Sequence, residues 1–252
     1  MDKKALQDVL ARFEPISLSE MDNVKLLDRI DVKYNIHEDQ LLPVLQEVLQ
    51  QYRTLDINGN RVAHYETTYL DTPEHLMYKQ HHQGKVPRFK IRIRKYVDSN
   101  LAFFEIKKKS NKGRTLKSRI KLKSDDSIFN DATTTFLEKE THLHPEELTP
   151  ALVVEYDRIT LVNKTGQERL TIDTNLVVRD GNTAHQFTGL VIIEAKLDSR
   201  AQTPFRKALQ QRRIKPFGMS KFVMAMSKLH NDIKINNFKQ DLKTVDKIAH
   251  VS

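Results

Sequence analysis

The stretch RFKIRIRKY at residues 88–96 constrains the fold more than any other part of the chain. Its period of two makes it a strand, with Phe89, Ile91 and Ile93 on one face and Arg88, Lys90, Arg92 and Arg94 on the other. Only the first face suits a hydrophobic core. The second gathers four cations, and like charges held together on a pleated surface oppose folding. That face looks either at bulk water or at something strongly anionic.

The pattern recurs. RIDVKYNI (29–36), VAHYETTYLD (62–71), LAFFEIKKK (101–109), LKSRIKLK (116–123), ALVVEYDRITLV (151–162), RLTIDTNLVV (169–178) and GLVIIEAKL (189–197) bring the candidate strands to eight. In 116–123 the sorting is complete, with Lys117, Arg119, Lys121 and Lys123 against Leu116, Ser118, Ile120 and Leu122. Glu105 and Lys107 share a face opposite Phe104 and Ile106; Asp31 and Lys33 share one opposite Val32, Tyr34 and Ile36. Glu194 and Lys196 oppose Ile193, Ala195 and Leu197, while Tyr156 pairs with Arg158 and Arg169 with Asp173. A slip of one residue would invert every face, so the register is strongly specified.

Turn residues at 98–100 (DSN), 110–114 (SNKGR), 163–167 (NKTGQ) and 179–182 (RDGN) mark hairpins. Helices are expected at 5–13, after Ser19, at 38–52, at 127–140 and at 203–213, the last capped by Thr203 with Pro204 in its first turn. His81 and His82 follow a short helix and read as surface residues, and the KKKSNKGR run at 107–114 reads mostly as a solvated hairpin tip.

The balance of 42 Lys and Arg against 33 Asp and Glu, a net charge of +9, favours an anionic partner. The absence of cysteine excludes disulfides and thiolate zinc sites. With seven glycines, dinucleotide and P-loop fingerprints are missing, and no HExxH occurs. No apolar run approaches the ~20 residues of a membrane span, and the segment MDKKALQDVLARFEP is too polar for a signal sequence. A soluble cytoplasmic protein is expected.

An antiparallel sheet with one face in water would show the same alternation. Its polar face would mix Thr, Ser, Gln and charges of both signs. Here Arg and Lys recur two residues apart, while the carboxylates Asp31, Glu105, Asp173 and Glu194 stand singly. Cations with a few carboxylates suit a polyphosphate with a bound divalent metal, the basic groups taking phosphate oxygens and the carboxylates holding Mg²⁺ or Mn²⁺.

RIDVKYNI, TTYLDT, KIRIRKY, FFEIKKK, LKSRIKLK, VEYDRITL, RLTIDTNL, VIIEAKL and MSKF occur in the order found in the polyphosphate-polymerase (VTC) domain. The chain resembles that family, a branch of the triphosphate tunnel metalloenzymes that include CYTH proteins, from about Arg29 to Met226. The resemblance implies an α+β fold: a closed eight-stranded antiparallel β-barrel with a charged interior, packed by helices outside. It divides the chain into an N-terminal helical extension (1–28), the tunnel domain (29–228) and a polar tail or surface helix (229–252).

By the same resemblance, Arg92, Arg94, Lys107, Arg158 and Glu194 are catalytic. Lys33, Lys117, Arg119, Arg169, Lys196, Ser220 and Lys221 bind phosphate. Glu194 is the principal metal ligand, with Glu105 and Asp31 as further carboxylates. The implied reaction moves the γ-phosphate of ATP to a growing polyphosphate chain, with Mn²⁺ or Mg²⁺ as cofactor. ATP or another nucleoside triphosphate, polyphosphate and pyrophosphate are the expected ligands, and a membrane-protein partner is left open.

One departure bears on the chemistry. The wider superfamily opens with Glu-x-Glu-x-Lys, and this chain has Arg29, Asp31 and Lys33 there, which disfavours two-metal hydrolysis. The rival readings are a non-catalytic polyphosphate sensor, a tunnel triphosphatase or cyclase, and a nucleic-acid-binding sheet. The last is disfavoured because Phe89, Phe104 and Tyr34 sit on the apolar faces and tryptophan is absent.

Overall fold

The structure, a computed structural model, describes residues 2–22, 29–123, 127–166, 168–181, 183–198 and 202–250. Among them the strands are β1 (Glu14–Ile16), β2 (Arg29–His37), β3 (Tyr52–Leu55), β4 (Ala63–Asp71), β5 (Arg88–Tyr96) and β6 (Leu101–Lys109). They continue with β7 (Thr115–Leu122), β8 (Thr149–Asn163), β9 (Glu168–Asp180), β10 (Thr183–Gln186) and β11 (Leu190–Asp198). The helices are α1 (Lys3–Ala11), α2 (Leu18–Asp22), α3 (Leu41–Glu47), α4 (Leu76–His82), α5 (Asp131–Thr141), α6 (Pro204–Gln211), α7 (Lys221–Leu229) and α8 (Lys239–Ala249). The fold is α+β, built on one large sheet whose main path runs β2-β11-β9-β8-β4-β5-β6-β7 with antiparallel neighbours throughout.

The eight strands expected from alternation are the eight strands of that path. Turns at 97–100 and 110–114 join β5 to β6 and β6 to β7. Alternation misses the short strands: β1 pairs with β3 in parallel, β3 joins the edge of β8, and β10 folds back on β9. The helix expected at 38–52 is shorter, with a 3₁₀ turn over 38–40, α3 over 41–47 and the chain already in β3 at Tyr52. Residues 23–28, part of the helix expected after Ser19, lie outside the described residues. α5 begins at a reciprocal cap between Asn130 and Thr133, and the Thr203 hydroxyl accepts from the Arg206 N–H at the start of α6.

The apolar strand faces are roofed by helices. Leu6, Leu10, Leu41, Leu45, Phe205 and Leu209 of α1, α3 and α6 pack on Tyr34, Ile36, Ile159, Leu170, Ile172 and Ile193. Leu137 of α5 packs with Ile91, Phe104 and Ile106 on the outer faces of β5 and β6. Each such buried side chain contributes about 1.5–3 kcal/mol relative to an exposed one. The segment from 229 onward also packs down: Leu242, Val245 and Ala249 of α8 are buried.

α7 differs from the other helices. Its sequence KFVMAMSKL is apolar nearly all round, as a doubly covered helix must be. Phe222 through Met226 are buried against Leu152, Val154, Leu176, Val178 and Ile192, which lie on the same strand faces as Arg158 and Glu194. The helix therefore occupies one end of the charged face and leaves the other end to the cations.

That face is concave. β6 and β11 are five spacings apart along the sheet path, about 24 Å in a flat sheet. Yet Lys107 of β6 and Glu194 of β11 act on each other electrostatically, as do Lys90 of β5 and Lys33 of β2. The segment before α7 crosses between these edges. The Phe217 N–H donates to the Lys33 carbonyl at 2.8 Å, and a Cβ on Gly218 would stand 2.3 Å from that of Lys33, so only glycine lets the crossing pass. No hydrogen-bonded pairing of β2 with β7 occurs among the described residues.

A cationic candidate site on the concave face

Cross-strand register sets the side chains in rows. Lys90, Lys107 and Lys117 lie opposite one another on β5, β6 and β7; Tyr69, Arg92, Glu105 and Arg119 form the next row; Thr67, Arg94, Phe103 and Lys121 form the one beyond. On the far side of the concavity Lys33 faces Glu194, and Asp31 faces Lys196, which faces Arg169. Sequence alternation placed the charged residues of these rows on the charged faces, and Thr67, Tyr69 and Phe103 join them there.

Three carboxylates organise the cations. Glu105 is wholly buried and held by Arg92 at 2.6 Å, Lys117 at 2.7 Å and Arg94 at 3.9 Å. Burial pushes its carboxyl up, but Arg92, Arg94 and Lys117 outweigh it and hold the group at about 2. Asp173 takes a two-pronged contact from Arg158, at 2.6 and 2.7 Å, and a third from Lys221 at 2.5 Å. Its carboxyl is likewise held at about 2, against burial, by Arg158 and Lys221. The Arg158 guanidinium lies 4.9 Å from the Tyr65 ring and 5.1 Å from the Tyr156 ring.

Glu194 is different. Its side chain is 30% exposed and its partners are lysines, Lys196 at 2.8 Å and Lys33 at 3.9 Å. Burial pushes the carboxyl up, yet Lys196, Lys33 and Lys107 carry it well below the usual range, so it is fully ionised. Asp31, half-exposed, stands 3.7 Å from Lys196.

These geometries test the expected metal ligands. Glu105 fits such a role poorly, because Arg92 and Lys117 already stand at its two oxygens; here it serves them as a counter-ion. Among the described residues no group of three or more His, Cys, Asp or Glu could hold a metal. A single open, ionised Glu194, with Asp31 nearby, fits instead a Mg²⁺ or Mn²⁺ whose other ligands are phosphate oxygens and water.

Burial weighs most on the lysines of the first row. Lys90 donates to the Ser220 hydroxyl at 2.8 Å, and burial, with Lys33, Arg88 and Arg92 nearby, lowers its ammonium to about 7. Lys107 is lowered to about 7 by burial and Arg92, partly offset by Glu194. Lys117, on exposed β7, is lowered too, by burial, with Glu105 pulling the other way.

Sequence reasoning missed several residues here. Lys90 stood two positions from Arg92 on the same face and was not separated from its neighbours. The aromatic argument also needs correcting: Tyr65, Tyr69, Tyr96, Phe103 and Tyr156 lie on the charged face, beside Arg92, Arg94, Arg119 and Arg158. His82 is not a surface residue; it is buried, with Phe238 packed edge-on at 5.4 Å. His81 is half-buried, and burial with Lys90, Arg88 and Lys33 lowers its imidazole to about 3, which keeps it neutral.

Residues 28–230 match the family model described as the VTC domain. No curated relative matches the chain. The chain is similar to a number of solved structures, two of them from Hippeastrum and Bacillus halodurans. One, from Hippeastrum, is described as a candidate adenylyl cyclase with a dominant triphosphatase activity; it is 14% identical, with 81% of this chain and 98% of that one covered at a TM-score of 0.51. The other, from Bacillus halodurans, is described as a candidate adenylate cyclase; it is 14% identical, with 84% and 97% covered at a TM-score of 0.49.

Proposed function

The chain belongs to the VTC domain family, and from that premise we propose that its concave face binds a nucleoside triphosphate and transfers the γ-phosphoryl group to polyphosphate. The observation that carries this reading is the row Lys90, Lys107 and Lys117, flanked by Arg92 and Arg94, with Lys107 within electrostatic reach of Glu194. The reading includes closure of the sheet into a tunnel, supported by the same coupling between β6 and β11, and residues 29–228 as the tunnel domain carrying 1–28 and 229–252 on its surface.

A terminal phosphate oxygen of the acceptor attacks the γ-phosphorus of ATP. A new P–O–P bond forms, the bond from that phosphorus to the β–γ bridging oxygen breaks, and ADP leaves with the electron pair. The acceptor is already ionised near neutrality, so no general base is needed. The requirement is to hold two polyanions in line. Arg92, Arg94, Lys107 and Lys117 neutralise and align the phosphates; Lys33, Lys196, Arg169, Ser220 and Lys221 line the acceptor side. Asp173 fixes both Arg158, which stiffens the wall, and Lys221. Glu194 would hold Mg²⁺ or Mn²⁺, which when bound would add charge neutralisation at the phosphates.

The test is incubation of the purified protein with ATP and Mn²⁺, followed by gel analysis for long-chain polyphosphate. The reading expects product from the native chain and loss of about 10²–10³-fold in rate for Glu194→Gln, with polyphosphate binding largely kept. Tight binding without product would identify a sensor, and release of inorganic phosphate without chain growth a triphosphatase.

A further inference from the structure

Phosphate binding accounts for the cations of the concave face but not for its aromatics. Tyr156, Tyr65 and Tyr96 stand directly opposite one another on β8, β4 and β5. Tyr65 stacks on Tyr156 at 5.3 Å and meets Tyr96 at 4.8 Å, and Tyr96 abuts Phe103 of β6 edge-on at 5.7 Å. The ladder ends at Phe103, which is half-buried and carries the guanidinium of Arg119 over its ring at 4.6 Å. Arg119 and the neighbouring Lys121 are exposed, and Leu101 beyond them faces solvent.

The face is therefore graded along the strands. At Lys90, Lys107 and Lys117 its cations are lysines, Lys117 paired with Glu105 and Lys107 near Glu194; four residues along β6, about 14 Å away, it presents a braced aromatic ring and a planar guanidinium at an open rim. That separation is of the order of a ribose and three phosphoryl groups laid end to end. A polyphosphate chain has no use for an aromatic plane, whereas a nucleobase stacks on both an aromatic ring and an arginine plane.

We propose that Phe103 and Arg119 form a nucleobase subsite, so that a nucleoside triphosphate enters with its γ-phosphate toward Lys107 and Glu194 and its base at the rim. This rests on the triphosphate reading above and adds the direction in which the nucleotide lies. It also gives Arg119 a stacking role in place of the phosphate contact expected from the sequence.

The test compares direct binding of ATP and of inorganic tripolyphosphate, both with Mn²⁺, to the native chain, Phe103→Leu and Arg119→Lys. Leucine keeps the bulk and removes the π face; lysine keeps the charge and removes the plane. Each substitution is expected to weaken ATP about five- to thirty-fold while tripolyphosphate affinity holds, which also reports that the variant is folded. Equal loss for both ligands, or no loss for ATP, overturns the subsite and leaves the triphosphate reading standing. Failure of the native chain to bind either ligand overturns both.

Discussion

Two strands of the concave face carry the same motif with opposite outcomes. β6 has Glu105-Ile106-Lys107 and β11 has Glu194-Ala195-Lys196, both with the carboxylate turned inward. Glu105 lies directly opposite Arg92 on one neighbour and Arg119 on the other, and the arginine and Lys117 close over it. Glu194 lies opposite Lys33 and Thr171, so its oxygens meet only flexible ammonium groups and stay partly open. Guanidinium forks commit a carboxylate; lysines leave it exchangeable. One motif thus yields a clamped counter-ion on one strand and a partly open, ionised carboxylate on the other, decided by cross-strand register.

The sharpest way to break this contrast is to neutralise each carboxylate alone. Glu105→Gln leaves the buried Arg92 without its counter-charge and should destabilise the fold by about 3–5 kcal/mol in urea unfolding. Glu194→Gln removes a partly exposed charge that Lys196, Lys33 and Lys107 attract, so it should lower the unfolding midpoint less than Glu105→Gln does, while turnover falls. Similar midpoints for the two variants would erase the distinction.

Acid unfolding sharpens it next. The Glu105 and Asp173 carboxyls sit at about 2 in the fold, below their ordinary values of 4.5 and 3.8. Their stabilisation is complete above the ordinary values and is lost as pH falls through about 2, by about 2–3 kcal/mol for each group. The slope of stability between pH 5 and 2 should shrink in Glu105→Gln.

The smallest expected effect concerns Lys90, which faces Lys33 of β2, Arg88 and Arg92 of its own strand, Lys107 of β6, His81 of α4 and Ser220 before α7. Its ammonium is lowered to about 7, so the unfolded chain holds its proton to higher pH and the ligand-free fold gains stability as pH rises from about 7 toward 10.5. Tripolyphosphate favours the charged form, so its affinity should fall several-fold, roughly, between pH 6 and 8. Lys90→Met should flatten that dependence in calorimetric titrations.

The strand faces were legible in the sequence because period two admits no ambiguity once one face is buried: RFKIRIRKY and LKSRIKLK read correctly residue by residue. Which inward carboxylate is clamped was not legible, because Glu105 and Glu194 differ only in their partners on adjacent strands. Nor was the tyrosine stack: alternation put Tyr156 on the face of Arg158, but Tyr65 reaches it only through the pairing of β4 with β8. α7 also escaped notice: a helix apolar on all sides has no stripe to betray it. His82 was misread because the residue that covers it, Phe238, arrives from the far end of the chain.

The most direct measurement is anomalous diffraction from crystals grown with Mn²⁺ and tripolyphosphate. The account predicts a manganese peak at the Glu194 carboxylate with phosphates between it and Lys107, and none at Glu105. Manganese elsewhere, or phosphates bound only to the outer hairpin at 108–114, would contradict it.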